Sequence, residues 1–277
     1  MTSTHIKHIG TITHKKSKET MGKFDTIDAA PRRVMTLIFL FDTSGSMEGD
    51  RIGQINASMQ EIVTYVADIS ATNADAQIKV QVMEFSSGTE WMYPQPIPAE
   101  DFQWRDLEAG GLTQMGEAFT ELNDKLSQSH GFMSQASGSF APAIVLMSDG
   151  EPTDDYKRGL AKLQNNGWYK AAIKVAIAIG DDANRDILSE FTGNKEAVLT
   201  VHNKEQLKKI IHFVSVTASQ VASSHSSVGK DAPASKQEEF VNTLNDAKDT
   251  SKETFDGVDV GSDTTNSGTD EWGDEQF

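Results

Sequence analysis

The chain contains no cysteine, which removes disulfide scaffolds, thiolate zinc sites, iron–sulfur clusters and cysteine nucleophiles together. That composition suits a reducing compartment, and a cytoplasmic protein is the expectation. No apolar run approaches 18 residues, and the first 20 residues carry Lys and His without an apolar stretch, so neither a membrane span nor a secretory leader is expected. Positive charge is scarce as well: 25 Lys and Arg face 41 Asp and Glu, a formal charge of −16. Sequence-independent nucleic-acid binding needs a basic surface to neutralise phosphate, and this balance argues against it. Gly-x-Gly-x-x-Gly, Walker and Gly-x-Ser-x-Gly patterns are all missing, so no signature of a dinucleotide site, a nucleotide triphosphate site or a hydrolase elbow is present.

What is present supports a core. Of the 277 residues 37% are hydrophobic, enough for one large domain. The run from Val34 to Phe41 ends abruptly at Asp42, as a strand buried on both faces would. Ile52, Ile55, Met59, Ile62, Val66 and Ile69 then recur at spacings of three and four, which predicts an amphipathic helix. Gln77–Phe85 alternates as a second strand, Thr89–Tyr93 suggests a short third, and prolines 94, 96 and 98 should break regular structure. Further on, a helix over Gln114–His130, a buried strand over Ala141–Ser148, a helix over Asp154–Asn166 and a strand over Ala172–Ile179 are expected. A short helix over Asn184–Thr192, an edge strand over Ala197–Val201 and a last helix from Asn203 to about Ala222 complete the reading. Strands alternating with helices predict a doubly wound α/β domain, a mainly parallel sheet with helices on both faces.

The organisation expected is a mobile arm over residues 1–30, a domain over 31–223 and an acidic tail over 224–277. From Ser226 to Phe277 there are 13 acidic and 4 basic residues, a composition too polar to offset the entropy of ordering, so disorder is expected. Its aromatics, Phe240, Phe255, Trp272 and Phe277, read either as docking anchors or as spacers. Trp91 and Trp104, which flank the proline-rich connection, read either as a contact surface or as packing for that loop.

In open α/β sheets ligands bind beyond the carboxyl ends of the strands. Three loops there carry polar residues: Asp42-Thr43-Ser44-Gly45-Ser46, Gly110-Gly111-Leu112-Thr113 and Ser148-Asp149-Gly150. Asp42, Ser44, Ser46, Thr113 and Asp149 offer hard oxygens without imidazole or thiolate, which suits Mg²⁺ or Mn²⁺ and disfavours zinc or copper. Alternate residues of an extended turn point the same way, so Asp42, Ser44 and Ser46 can converge, and Gly45 lets the backbone bend between them. Two carboxylates balance a divalent charge and leave room for an incoming carboxylate. The plain alternative, a helix cap, accounts for Asp42–Ser46 taken alone but not for Thr113 and Asp149. Asp154, Asp155, Asp181 and Asp182 lie near the same face and read as caps for the helices they precede.

These residues carry a resemblance. Asp42-Thr43-Ser44-Gly45-Ser46 with Thr113 and Asp149 resembles the metal-ion-dependent adhesion site of the von Willebrand factor type A (VWA) domain family, over about Val34 to Ala222. Leu146–Asp155, Ala178–Ala183 and the serine-rich end of the last helix are similar to the bacterial TerY-like group. That group is associated with tellurite resistance and chemical stress and is linked to a protein kinase and a PP2C-type phosphatase. By this resemblance Ser44, Ser46 and Thr113 would contact the metal directly, and Asp42 and Asp149 would often act through water.

The function expected is a non-enzymatic, metal-dependent protein-binding module whose partner presents an Asp or Glu, with no nucleic acid and no membrane as partner. An adaptor in a bacterial stress-response or defence pathway is what the resemblance implies. Two other readings use the same features: the accessory subunit of an AAA+ ATPase or chelatase, and a Mg²⁺-dependent phosphohydrolase. The acidic residues Asp270, Glu271, Asp274 and Glu275 could also compete for the metal from within the chain.

Overall fold

The computed structural model describes residues 32–133, 138–224 and 234–261. The expected arm over residues 1–30 lies outside them. Strand β1 (Arg33–Asp42) is buried from Met35 to Asp42. Met35, Leu37, Phe39 and Phe41 enter the core on one side of the sheet, Ile38 and Leu40 the core on the other. That division is the two-residue period of a strand covered on both faces.

Helix α1 (Asp50–Thr72) buries Ile52, Ile55, Met59, Ile62 and Val66 and returns the chain to β2 (Ala76–Ser86), which lies parallel to β1. Short β3 (Gly88–Trp91) and β4 (Ile97–Pro98) both run antiparallel to β2. Proline at position 98 is tolerated because β4 is a two-residue edge pairing. After α2 (Met115–Lys125) come β5 (Ala143–Ser148), α3 (Tyr156–Gln164), α4 (Gly167–Ala171), β6 (Ile173–Ile179), α5 (Arg185–Thr192), β7 (Val198–Val201) and α6 (Lys204–Ser223). The sheet runs β3-β2-β1-β5-β6-β7 and ends on a short C-terminal strand, β8 (Asp259–Val260), with β1, β2, β5, β6 and β7 mutually parallel. Residues of α1 and α6 pack in the first core; α2, α3 and α5 pack in the second. This is the doubly wound α/β architecture. Trp91 and Trp104 serve packing: Trp104 meets Phe41 edge-on at 5.6 Å between ring centroids, and Trp91 meets Phe132 at 4.9 Å.

The C-terminal segment corrects the expectation of a disordered tail from residue 224. Residues 236–250 form α7 (Lys236–Thr250), and Asp259–Val260 form β8, antiparallel to β7. Phe240, Val241 and Leu244 are buried in the first core, as are Phe255 and Val258. Composition averaged over the tail hides this five-residue apolar set, which lies on one side of a short helix and its following turn. Phe240 and Phe255 are therefore core residues rather than docking anchors or spacers. In consequence β7 is not an edge strand, because β8 pairs its outer side and limits the exposed edge. Residues 225–233 and 262–277, including Trp272 and Phe277, lie outside the described residues.

Candidate metal-binding site

β1 and β5 are neighbours, yet the chain leaves β1 for β2 on one side and returns through α2 to β5 on the other. Strand order reverses between them, and that reversal opens a crevice at their carboxyl ends. Asp42 ends β1 and Ser148 ends β5. The Ser148 hydroxyl donates to Asp42 Oδ2 at 2.6 Å, and the Ser44 amide donates to Oδ1 at 2.9 Å. Asp42 is fully buried. Burial raises its carboxyl from 3.8 to about 6, the hydrogen bonds from Ser148 and Ser44 offset part of that effect, and the nearby Asp149 carboxylate adds to it.

The loop after β1 is not a helix cap. It forms a 3-10 turn at Gly45–Met47 without a side-chain cap bond, and α1 starts later behind Gly49, again uncapped by a side chain. The Ser44 and Ser46 hydroxyls lie 3.0 Å apart and hydrogen-bond each other. Backbone bonds join this loop to the Thr113 loop: Gly45 N–H donates to Gly111 O at 3.1 Å and Gly110 N–H to Thr43 O at 2.8 Å. Thr113 is buried and exchanges two bonds with Thr153, N–H to Thr153 Oγ1 at 3.1 Å and Thr113 O from Thr153 N–H at 2.8 Å. Asp149 is also buried, and its carbonyl accepts from Asn184 N–H at 2.7 Å. Gly150, at φ 78°, has no room for a side chain, since a Cβ would stand 2.8 Å from Asn184 O. The five predicted residues thus lie on three loops stitched together at one sheet edge.

Arg51 escaped sequence reasoning. Its guanidinium donates to Ser46 O at 3.4 Å, reaches Asp149 Oδ2 at 3.7 Å and pairs with Asp182 at 3.1 Å. It ties the first loop to the third and to the loop after β6. A basic residue opening an amphipathic helix gives no signal of such a role. Ser148 lies in one of the three predicted loops, but nothing in the sequence signals that its hydroxyl holds the Asp42 carboxylate. The neighbouring acids depart from the capping expectation. Asp155 does cap α3, but Asp154 accepts from Gly116 and Glu117 N–H at the start of α2. Asp181 faces His202, and Asn184 rather than Asp182 caps α5.

Among the described residues no group of three or more His, Asp or Glu is arranged to hold a metal ion, so a carboxylate or imidazole cage is not on offer. Two buried carboxylates, two paired serine hydroxyls and Thr113 form an all-oxygen set, which matches a hard cation. Buried Asp42 holds its charge at an energetic cost that a cation would offset.

A sequence profile of the von Willebrand factor type A domain matches residues 36–213, well over half of the chain, which therefore belongs to the VWA domain family. No curated protein matches the sequence. Among solved structures, proximal thread matrix protein 1 from the mussel byssus has 21% identity and a TM-score of 0.51, covering 68% of this chain and 48% of its own. A second structure of that protein, described as having a zinc-occupied MIDAS motif, has 19% identity, a TM-score of 0.51 and the same coverage. The pilus adhesin SpaC from Lactobacillus rhamnosus GG has 12% identity and a TM-score of 0.52, covering 66% of this chain and 30% of its own. At these identities the likeness is one of fold, and this chain spans half or less of those proteins. Among the described residues no helix is long and apolar enough to cross a membrane.

Proposed function

We propose that the chain is a metal-dependent protein-binding module in which Asp42, Ser44, Ser46, Thr113 and Asp149 hold Mg²⁺ or Mn²⁺ and a partner contributes an Asp or Glu. The observation that carries this reading is the Ser44–Ser46 hydroxyl pair beside buried Asp42, on a loop whose side chains cap no helix. A bound cation would supply a coordination position open to the partner's carboxylate. The protein's own contribution is placement. Ser148 and the Ser44 amide hold the Asp42 carboxylate, Thr153 holds the Thr113 backbone, and Arg51 steadies the outer oxygen of Asp149. The Ser148 hydroxyl that bonds the Asp42 carboxylate is fully buried, and the Ser44 and Ser46 hydroxyls bond each other rather than a base, an arrangement that favours adhesion over phosphohydrolysis.

The resemblance to the TerY-like group supports an adaptor role in a bacterial stress or defence pathway, with a protein kinase and a PP2C-type phosphatase as candidate partners. The accessory-subunit reading uses the same metal-site face but draws no support of its own from the geometry. Zinc in the mussel protein makes Zn²⁺ a necessary third ion in any metal test. Bead capture from a bacterial lysate in Mg²⁺, Mn²⁺, Zn²⁺ or EDTA tests the function. Partners should be retained with a divalent ion, released by EDTA and lost in the double change Ser44→Ala and Ser46→Ala. Capture indifferent to both treatments would refute it.

A further inference from the structure

Away from the metal face, α1 and α6 leave between them a groove of about 580 Å³, a size typical of ligand-binding clefts. Its lining includes Ala57, Ile62, Phe213 and Val216. Tyr65 stands at one wall, 47% exposed and edge-on to His212 at 4.6 Å between ring centroids. Three lysines of α6, Lys204, Lys208 and Lys209, edge the groove with Glu61 and Glu205. Lys208 pairs with Glu61, whereas Lys204 forms no ion pair among the described residues.

We propose that this groove is the docking site of the chain's own residues 262–277. That segment carries Asp263, Asp270, Glu271, Asp274 and Glu275, no Lys or Arg, and the aromatics Trp272 and Phe277. The segment's −5 leaves −11 of the total −16 on the rest of the chain, so most of the surface repels it. Three lysines beside apolar and aromatic side chains match its composition: acids meet ammonium groups at the rim, and Trp272 packs into the groove.

Position supports the same occupant. Thr254 lines the groove, Lys209 Nζ donates to Glu253 O at 3.0 Å, and Phe255 packs edge-on to Phe213 at 5.1 Å. The chain therefore already runs beside the groove a few residues before the described part stops at Gly261. Twelve further residues reach Gly273 and can span about 40 Å, well over the radius of gyration of about 17 Å expected for a domain of this size. Tethering gives the segment an effective concentration that can reach the millimolar range, so modest contacts suffice. Docked there, the segment shields Tyr65 and the lysines from other proteins, and its carboxylates are kept from the metal loops.

The absence of cysteine makes the test clean. A bimane fluorophore, quenched by tryptophan on contact, is attached to the full chain at Ala57→Cys in the groove, Leu112→Cys beside Thr113, or Lys157→Cys on α3. All three positions are exposed. Each is measured with Trp272 intact and with Trp272→Ala. Docking predicts at least a twofold rise in emission at position 57 on removing Trp272, no change at 112 or 157, and independence of protein concentration. The pair Lys204→Glu and Lys208→Glu should reproduce the rise with Trp272 present, with melting curves confirming that each variant is folded. No change at 57, a change at 112 instead, or a response that vanishes on dilution and so reports a second copy overturns the proposal.

Discussion

At the proposed metal site, burial of Asp42 couples cation binding to proton release below about pH 6. With the carboxyl raised to about 6 by burial, the cation must displace a proton below that pH and need not above it. The protonated fraction falls from about nine-tenths at pH 5 to one-tenth at pH 7, so apparent affinity for Mn²⁺ should rise about tenfold over that span. Calorimetric titrations in two buffers of different ionisation enthalpy should report close to one proton released per ion at pH 5 and almost none at pH 7.5. The same shift acts on stability without metal. A carboxyl whose folded value lies above its unfolded one binds more protons when folded, so its contribution is present below pH 4 and is lost as pH rises through 6. The loss from a shift of this size is about 3 kcal/mol, and Asp42→Asn should recover about 1 to 3 kcal/mol of it in EDTA at pH 7. Affinity that is flat between pH 5 and 7, with no proton released at either, would refute the reasoning.

Two further outcomes follow from buried groups elsewhere. Phe240→Ala empties a fully buried site under α7 and should cost about 3 to 5 kcal/mol, lowering the melting temperature by roughly 6 to 20 °C; a shift of a degree or two would mean that α7 does not dock as described. Lys174, buried with its Nζ donating to Ala172 O at 3.0 Å and Tyr169 O at 3.2 Å, has its ammonium lowered from 10.5 to about 8 by desolvation. Because the unfolded chain then binds more protons between pH 8 and 10.5, Lys174 opposes folding below pH 8 and less so above. The stability advantage of Lys174→Met should therefore shrink by about 3 kcal/mol across that range in chemical denaturation, whereas a difference independent of pH would contradict the burial argument.

The doubly wound sheet was legible because its central strands are near-continuous apolar runs that end at polar loops. Phe41-Asp42 and Met147-Ser148 mark those boundaries in the sequence, and β1 and β5 stop at Asp42 and Ser148. The same boundaries put Asp42, Ser44, Ser46 and Asp149 on one edge, and backbone bonds from Gly45 to Gly111 and from Gly110 to Thr43 bring the Thr113 loop to it. Arg51 was illegible because its role depends on the distance between α1 and two loops about 100 and 130 residues further along the chain. The α7–β8 segment was missed for a different reason. Net charge describes how a segment meets water, but Phe240, Val241, Leu244, Phe255 and Val258 are few among many polar residues, and their burial depends on surfaces that the sheet and α6 already supply. The prolines misled in a smaller way, since Pro98 closes a two-residue edge strand instead of breaking one.

The central claim is that five oxygen-bearing side chains on three loops hold one hard cation. Direct titration of the chelator-treated full chain with Mn²⁺ at pH 7.5, followed by the loss of free Mn²⁺ signal in electron paramagnetic resonance, measures it most directly. One ion per chain is expected, competed by Mg²⁺, with affinity reduced at least a hundredfold by the double change Ser44→Ala and Ser46→Ala and unaffected by Lys157→Ala on α3. A wild-type chain that leaves Mn²⁺ free, or a double variant that binds it as tightly as wild type, would contradict it.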